Sequence, residues 1–143
     1  MLGKQIAEGT GKRTGRRVTA TEPRLQVEAS VEERTSMLGA EGLNIITYTA
    51  QIKPDGSLEG CGEGAFATPQ GDVVLWKGLG VGRFGEGGST HYCGSISYST
   101  TSPRFAALNA VSGVFQWDID AEGNTHSKIW ELAPAGATKS AGA

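Results

Sequence analysis

The sequence predicts an all-β fold, an antiparallel meander coiled strongly enough to approach a barrel, on three observations. β-Branched and aromatic residues concentrate in segments with a period of two: Ile45 to Ile52, Val73 to Phe84, Tyr92 to Tyr98 and Val111 to Ile119. Turn-forming residues separate these segments at short intervals, as in Lys53-Pro54-Asp55-Gly56-Ser57 and Ala121-Glu122-Gly123-Asn124. Glycine supplies 22 of the 143 residues, about double its usual share of roughly 7%. Each glycine inside a helix would cost about 1 kcal/mol relative to alanine, which argues against a helical bundle. The length favours one domain, residues 1–133. Residues 134–143 hold alanine, glycine, serine and threonine with one lysine, bury nothing and read as a disordered tail.

Near the amino end, Lys4, Lys12, Arg13, Arg16 and Arg17 stand against Glu8 and alternate with glycine and threonine. This pattern reads as a solvated edge strand carrying protective charges rather than a polyanion contact. Loop lengths then set the hairpin registers. The Pro54-Asp55-Gly56 loop, a type I turn with glycine in the left-handed position, places Asn44 by Phe66, Ile46 by Gly64 and Tyr48 by Gly62. A loop at Gln70, Gly71 and Asp72 places Phe66 by Trp76, Gly64 by Gly78, Gly62 by Gly80 and Gly60 by Gly82. A loop at Glu86, Gly87 and Gly88 sets Trp76 by Tyr98, Gly78 by Ile96, Gly80 by Gly94 and Gly82 by Tyr92. Ser102 as N-cap and Pro103 at the first helical position open one short helix of about two turns, ending near Asn109. Its Phe105 and Leu108 share a face that plugs one end of the sheet. The loop at Ala121, Glu122 and Gly123 pairs Trp117 with Ser127, Phe115 with Ile129 and Gly113 with Glu131.

These registers share one parity and build one face four strands wide. Phe66, Trp76 and Tyr98 form an aromatic row, and beyond it lie levels made mostly of glycine. The opposite face carries Gln51, Glu59, Arg83 and His91, with Glu59 across from Arg83, a pairing that belongs in water. The glycine-and-aromatic face therefore points inward. Glycine repeated on neighbouring strands permits strong coiling and leaves volume where side chains would stand. Either aromatics from the far wall fill that volume, Phe115 and Trp117 being placed to do so, or a ligand does.

Several chemistries are excluded or left without support. Thirteen basic against fifteen acidic side chains give a net charge of −2, so bulk electrostatics do not predict nucleic-acid binding. No apolar run approaches the roughly 20 residues of a membrane-spanning helix, and no secretory h-region is present. Two cysteines are too few for a disulfide scaffold, which makes the reducing cytoplasm the expected location. Gly80-Val81-Gly82-Arg83-Phe84-Gly85 matches the dinucleotide fingerprint by letter, but a turn follows it instead of a helix. Cys61, Glu63, His91 and Cys93 share the outward parity, but the two cysteines lie two strands apart, about 9.6 Å, which is too far for a disulfide or a compact metal site. No nucleophile elbow is present, and no cofactor is implied. Glu131 is read two ways. On the inward parity opposite a glycine it is a general acid or base with a raised pKa; at the barrel mouth it is merely solvated. Tyr48 and Tyr98 are the other inward polar groups, and Asn44 is placed to orient a ligand carbonyl.

The run from Gly94 through Tyr98, Ser102, Phe105 and Ala106 to Ser112-Gly113-Val114-Phe115 resembles the allene oxide cyclase barrel superfamily. Gly60-x-Gly62-x-Gly64, Trp76-x-Gly78-x-Gly80-Val81-Gly82-Arg83-Phe84, Leu108-Asn109 and Ile129-Trp130-Glu131 are similar to a branch of uncharacterised bacterial barrels within it. The resemblance covers roughly residues 9–132 and implies a closed eight-stranded antiparallel meander barrel that forms homo-oligomers. It implies a small hydrophobic molecule in the lumen and, where there is turnover, an isomerase or cyclase acting by confinement. Glu131, Tyr48 and Tyr98 then carry the proton chemistry, and Asn44, Phe66, Trp76, Tyr92, Phe115 and Trp117 form the ligand wall. The alternative is a non-catalytic structural or interaction module whose barrel is filled by its own aromatics. Lumen volume separates the two, a cavity of about 300 Å³ or more supporting a ligand.

Overall fold

A computed structural model of the chain describes residues 2–132; the reading of residues 134–143 as a tail lies outside them. Eight strands follow one another: β1 (Leu2–Ala20), β2 (Gln26–Met37), β3 (Ala40–Ile52), β4 (Leu58–Ala67), β5 (Val73–Phe84), β6 (Thr90–Ser99), β7 (Ser112–Ile119) and β8 (Asn124–Leu132). Each pairs antiparallel with the next, and β8 returns to β1 to close the barrel. The inferred meander is therefore complete, and closure changes the role of β1. Its Leu2–Lys12 half is held by β8, and from Ala7 onward by β2 as well. Only the half beyond Lys12 is an edge paired with β2 alone, where Arg17 meets Glu28 at 3.0 Å. The edge-strand reading is corrected to that half, because closure removes the edge elsewhere.

Three of the four hairpin registers follow the loop chemistry. Asn44 faces Phe66, Trp76 faces Tyr98 and Phe115 faces Ile129. The β4–β5 register differs by two residues: Gly64 faces Trp76, Gly62 faces Gly78 and Gly60 faces Gly80, while Phe66 faces Val74. The cause lies in the turn. Thr68 and Asp72 close it, Thr68 N–H donating to the Asp72 carbonyl at 3.0 Å, so the loop is Pro69-Gln70-Gly71. Gly71, at φ 96°, takes the third loop position, as Gly56 does at φ 87° in the preceding hairpin. Parity survives a shift of two, so the same face still points inward. The Phe66–Trp76–Tyr98 row does not survive. Nor does the Glu59–Arg83 pair, since Glu59 faces Val81 and Arg83 faces His91.

Two apolar clusters lie at the ends of the lumen. One gathers Met37, Phe66, Val74, Tyr98, Phe105 and Leu108; the other gathers Val31, Ile46, Leu58, Tyr92, Trp117 and Ile119. The expected helix is a 3₁₀ segment, Pro103–Ala110. Its i, i+3 eclipse puts Phe105 and Leu108 on one side, both buried, and plugs the first end as expected. Phe105 meets Phe66 edge-on, with ring centroids 6.0 Å apart. Ser102 does not cap the segment with its side chain. Its hydroxyl donates instead to Asp72 Oδ1 at 2.6 Å, tying the plug to the β4–β5 turn.

Candidate functional site: the barrel lumen

Between the two clusters the barrel keeps a cavity with about 80 Å³ open to the centres of water-sized groups. One wall is the glycine ribbon of β4 and β5, Gly60, Gly62, Gly78 and Gly80; the others carry Asn44, Tyr48, Trp76, Tyr92, Tyr98, Phe115 and Trp117. The ribbon is narrowed by rings lying across it. A Cβ at Gly60 would stand 3.2 Å from the Tyr92 ring, and one at Gly80 would stand 3.0 Å from the Phe115 ring. Tyr48 packs edge-on against Trp117, with centroids 4.9 Å apart, and Tyr92 lies 6.1 Å from both. The lumen is thus neither the packed core nor the cavity of about 300 Å³ that the two sequence-based alternatives described.

Of the residues expected to form the site, the structure brings seven to this cavity: Asn44, Tyr48, Trp76, Tyr92, Tyr98, Phe115 and Trp117. Two lie elsewhere. Phe66 is fully buried in the plugged end, because the register shift carries it one level away. Glu131 pairs with Gly113 as expected but sits half-buried near the end of β8, beside Gly3, and does not line the cavity. The Asn44 carbonyl oxygen is occupied, accepting from Trp76 Nε1–H at 2.9 Å.

The interior carboxylate is one that the pattern reading missed. Glu33 on β2 is 1% exposed and lines the cavity. Its Oε2 accepts from Trp117 Nε1–H (2.9 Å) and Thr125 Oγ1–H (2.7 Å), and its Oε1 accepts from Ser127 Oγ–H (2.7 Å). The donors stand on β7 and β8, so the side chain must cross beneath β1, where Gly9 makes room. Gly11 faces Glu33 directly, and a Cβ on Gly9 would stand 2.8 Å from Glu33 Oε1 and 2.6 Å from Thr35 Oγ1. A signal was present in Val31-x-Glu33-x-Thr35-x-Met37, an inward-facing alternation with apolar residues at both ends.

Two buried hydroxyls, Tyr98 Oη and Thr35 Oγ1, have no hydrogen-bond partner among the described residues. Burial raises the pKa of all three lumen tyrosines above the ordinary value; at Tyr48 the nearby Arg13 guanidinium opposes the effect. The cysteines and histidines are outside. Cys61 and Cys93 are exposed. His91 Nδ1 meets Asp118 at 2.6 Å and His126 Nε2 meets Glu8 at 2.8 Å, all four side chains being substantially exposed.

No protein-family model matches the chain, and no curated protein does. Solved structures do. A conserved protein of unknown function from Rhodopseudomonas palustris superposes with a TM-score of 0.77 at 16% identity, over 92% of this chain and 99% of its own. A protein of unknown function from Clostridium acetobutylicum gives 0.76 at 12% identity, over 91% and 98%. A β-barrel-like protein from Acinetobacter baumannii gives 0.65 at 10% identity, over 93% and 96%. At these identities the likeness is one of fold: the chain is an eight-stranded β-barrel similar in architecture to those three proteins.

Proposed function

We propose that the barrel binds a small, mostly hydrophobic molecule in its lumen and that, where the molecule is turned over, the reaction is an isomerisation or cyclisation by confinement with acid–base assistance. The observation carrying this reading is an apolar space in the barrel, bounded by glycines and lined by both Glu33 and Tyr98, whose buried hydroxyl has no partner among the described residues. A buried hydroxyl without a partner costs about 1–3 kcal/mol, which a ligand oxygen or nitrogen would offset. Glu33 replaces Glu131 as the carboxyl placed for proton transfer, with Tyr48 and Tyr98 as the other candidates. The ligand is compact. Each water-sized group needs about 10–15 Å³ of such space, so 80 Å³ takes roughly five to eight heavy atoms.

The glycine pattern quoted above supports membership of the allene oxide cyclase barrel superfamily, and with it a homo-oligomer; the two exposed cysteines support a reducing, cytoplasmic location. No helix among the described residues is long and apolar enough to cross a membrane. The second reading, a barrel filled by its own side chains, is favoured by the mutual packing of Tyr48, Tyr92 and Trp117.

Toluene binding, followed by NMR, distinguishes the two. A Cβ at Gly78 meets only ordinary contacts of 3.5–3.7 Å, so the backbone accepts a side chain there, and Gly78→Val takes up volume in the cavity that Gly78 lines. Ligand binding predicts that wild type perturbs the signals of Gly60, Ile96 and Tyr98 on adding toluene and that Gly78→Val, folded, does not. An unresponsive wild type favours the self-filled barrel.

A further inference from the structure

Glu33 raises a question of charge that its neighbours do not answer. Its three donors, Trp117, Thr125 and Ser127, are all neutral, and among the described residues no lysine or arginine forms an ion pair with it. A buried carboxylate is stabilised by hydrogen bonds but is fully compensated only by opposite charge. A carboxylate offers about four acceptor sites. Oε2 uses two and Oε1 uses one, which leaves one for a donor arriving from the cavity that Glu33 lines.

The surroundings fit a cation. Trp117, which donates to Glu33, packs against Tyr48 and lies 6.1 Å from Tyr92, centroid to centroid, and all three rings line the same space. Aromatic faces attract cations, most strongly where water is excluded. The positive charges that act on this group of rings are those of Arg13 and Arg16 at Tyr48. Arg13 belongs to β1 and is only half-buried, so solvent screens it in a way that does not apply to Glu33.

We infer that the lumen takes a compact organic ammonium, a protonated amine whose charge sits against Glu33 and whose apolar body lies among Tyr48, Tyr92 and Trp117. This rests on the lumen-binding reading above and narrows its ligand to one chemical class. Toluene, benzyl alcohol and benzylamine have seven or eight heavy atoms, about the number the cavity admits, and differ only in the group presented to Glu33.

Calorimetric titration of the three at neutral pH tests the inference. The expected result is benzylamine bound at least tenfold more tightly than toluene or benzyl alcohol, a preference that Glu33→Gln removes. If toluene and benzyl alcohol bind and benzylamine binds no better, the ammonium assignment is overturned while the lumen reading stands. The same holds if the preference persists in folded Glu33→Gln. If none of the three binds, the lumen reading fails as well. Should Glu33→Gln not fold, the wild-type ranking alone decides.

Discussion

Gly9→Ala and Gly15→Ala place the same methyl group on the same strand in opposite surroundings. At Gly9 the new Cβ would stand 2.6 Å from Thr35 Oγ1, 2.8 Å from Glu33 Oε1 and 3.2 Å from Ser127 Oγ. To restore ordinary contact near 3.4 Å, the threonine oxygen must retreat by about 0.8 Å and the carboxylate oxygen by about 0.6 Å. Thr35 is β-branched and stiff. Glu33 Oε1 is held by Ser127 at 2.7 Å, so its retreat breaks that bond. A hydrogen bond to a charged group contributes about 1.5–3 kcal/mol, and the reduced unfolded-state entropy of alanine returns about 0.4–1 kcal/mol. The net expectation for Gly9→Ala is a loss of about 1–2 kcal/mol. At Gly15 nothing lies within 4 Å, and its φ is not positive, so Gly15→Ala is expected to be neutral or to stabilise by up to about 1 kcal/mol. Urea unfolding with matched m-values measures the gap, expected near 2 kcal/mol. Two variants within 0.5 kcal/mol of each other would refute the claim that Gly9 exists to let the Glu33 carboxylate pass.

The protein's three tyrosines, Tyr48, Tyr92 and Tyr98, all line the lumen and all have pKa values raised by burial. Their folded-state pKa values exceed the unfolded value of about 10, so their contribution to stability is complete below pH 10 and is lost as pH rises above it. Phenolate absorbance of the native protein should rise at higher pH than that of three free tyrosines; a normal three-tyrosine titration of folded protein would contradict their placement. At the other extreme, Asp72 is held below the usual carboxylate range, chiefly by the Ser102 hydroxyl and also by Thr68 and the Arg104 guanidinium. Its stabilisation is present above about pH 4 and is lost as pH falls below it. Asp72→Asn should therefore flatten the acid limb of the stability curve and speed hydrogen exchange in the Pro103–Ala110 segment.

Most of the fold was legible because four hairpins share one device, a three-residue loop with glycine last, seen at Gly56, Gly71, Gly88 and Gly123. Where glycine was read in last place, as in Pro54-Asp55-Gly56, Glu86-Gly87-Gly88 and Ala121-Glu122-Gly123, the register came out right. Where Gly71 was put in the middle of its loop, β5 slid by two residues and took Phe66 out of the site. Parity is insensitive to such a slip, which is why seven of the expected lumen residues still meet. The carboxylate was illegible for another reason. β1 and β2 are joined by residues 21–25 with no three-residue turn to fix a register. Glu33 also finds its donors 84, 92 and 94 residues away, across a strand whose glycines say nothing of what passes beneath them.

The central claim is that the barrel encloses free apolar volume beside Glu33 and Tyr98, and xenon tests it without presuming any ligand. A crystal of the protein pressurised with xenon should show the atom inside the barrel, against Gly78 and Ile96 and within contact of the Phe115 ring. Xenon found only on the outer surface, with the lumen closed by Tyr48, Tyr92 and Trp117, would contradict it.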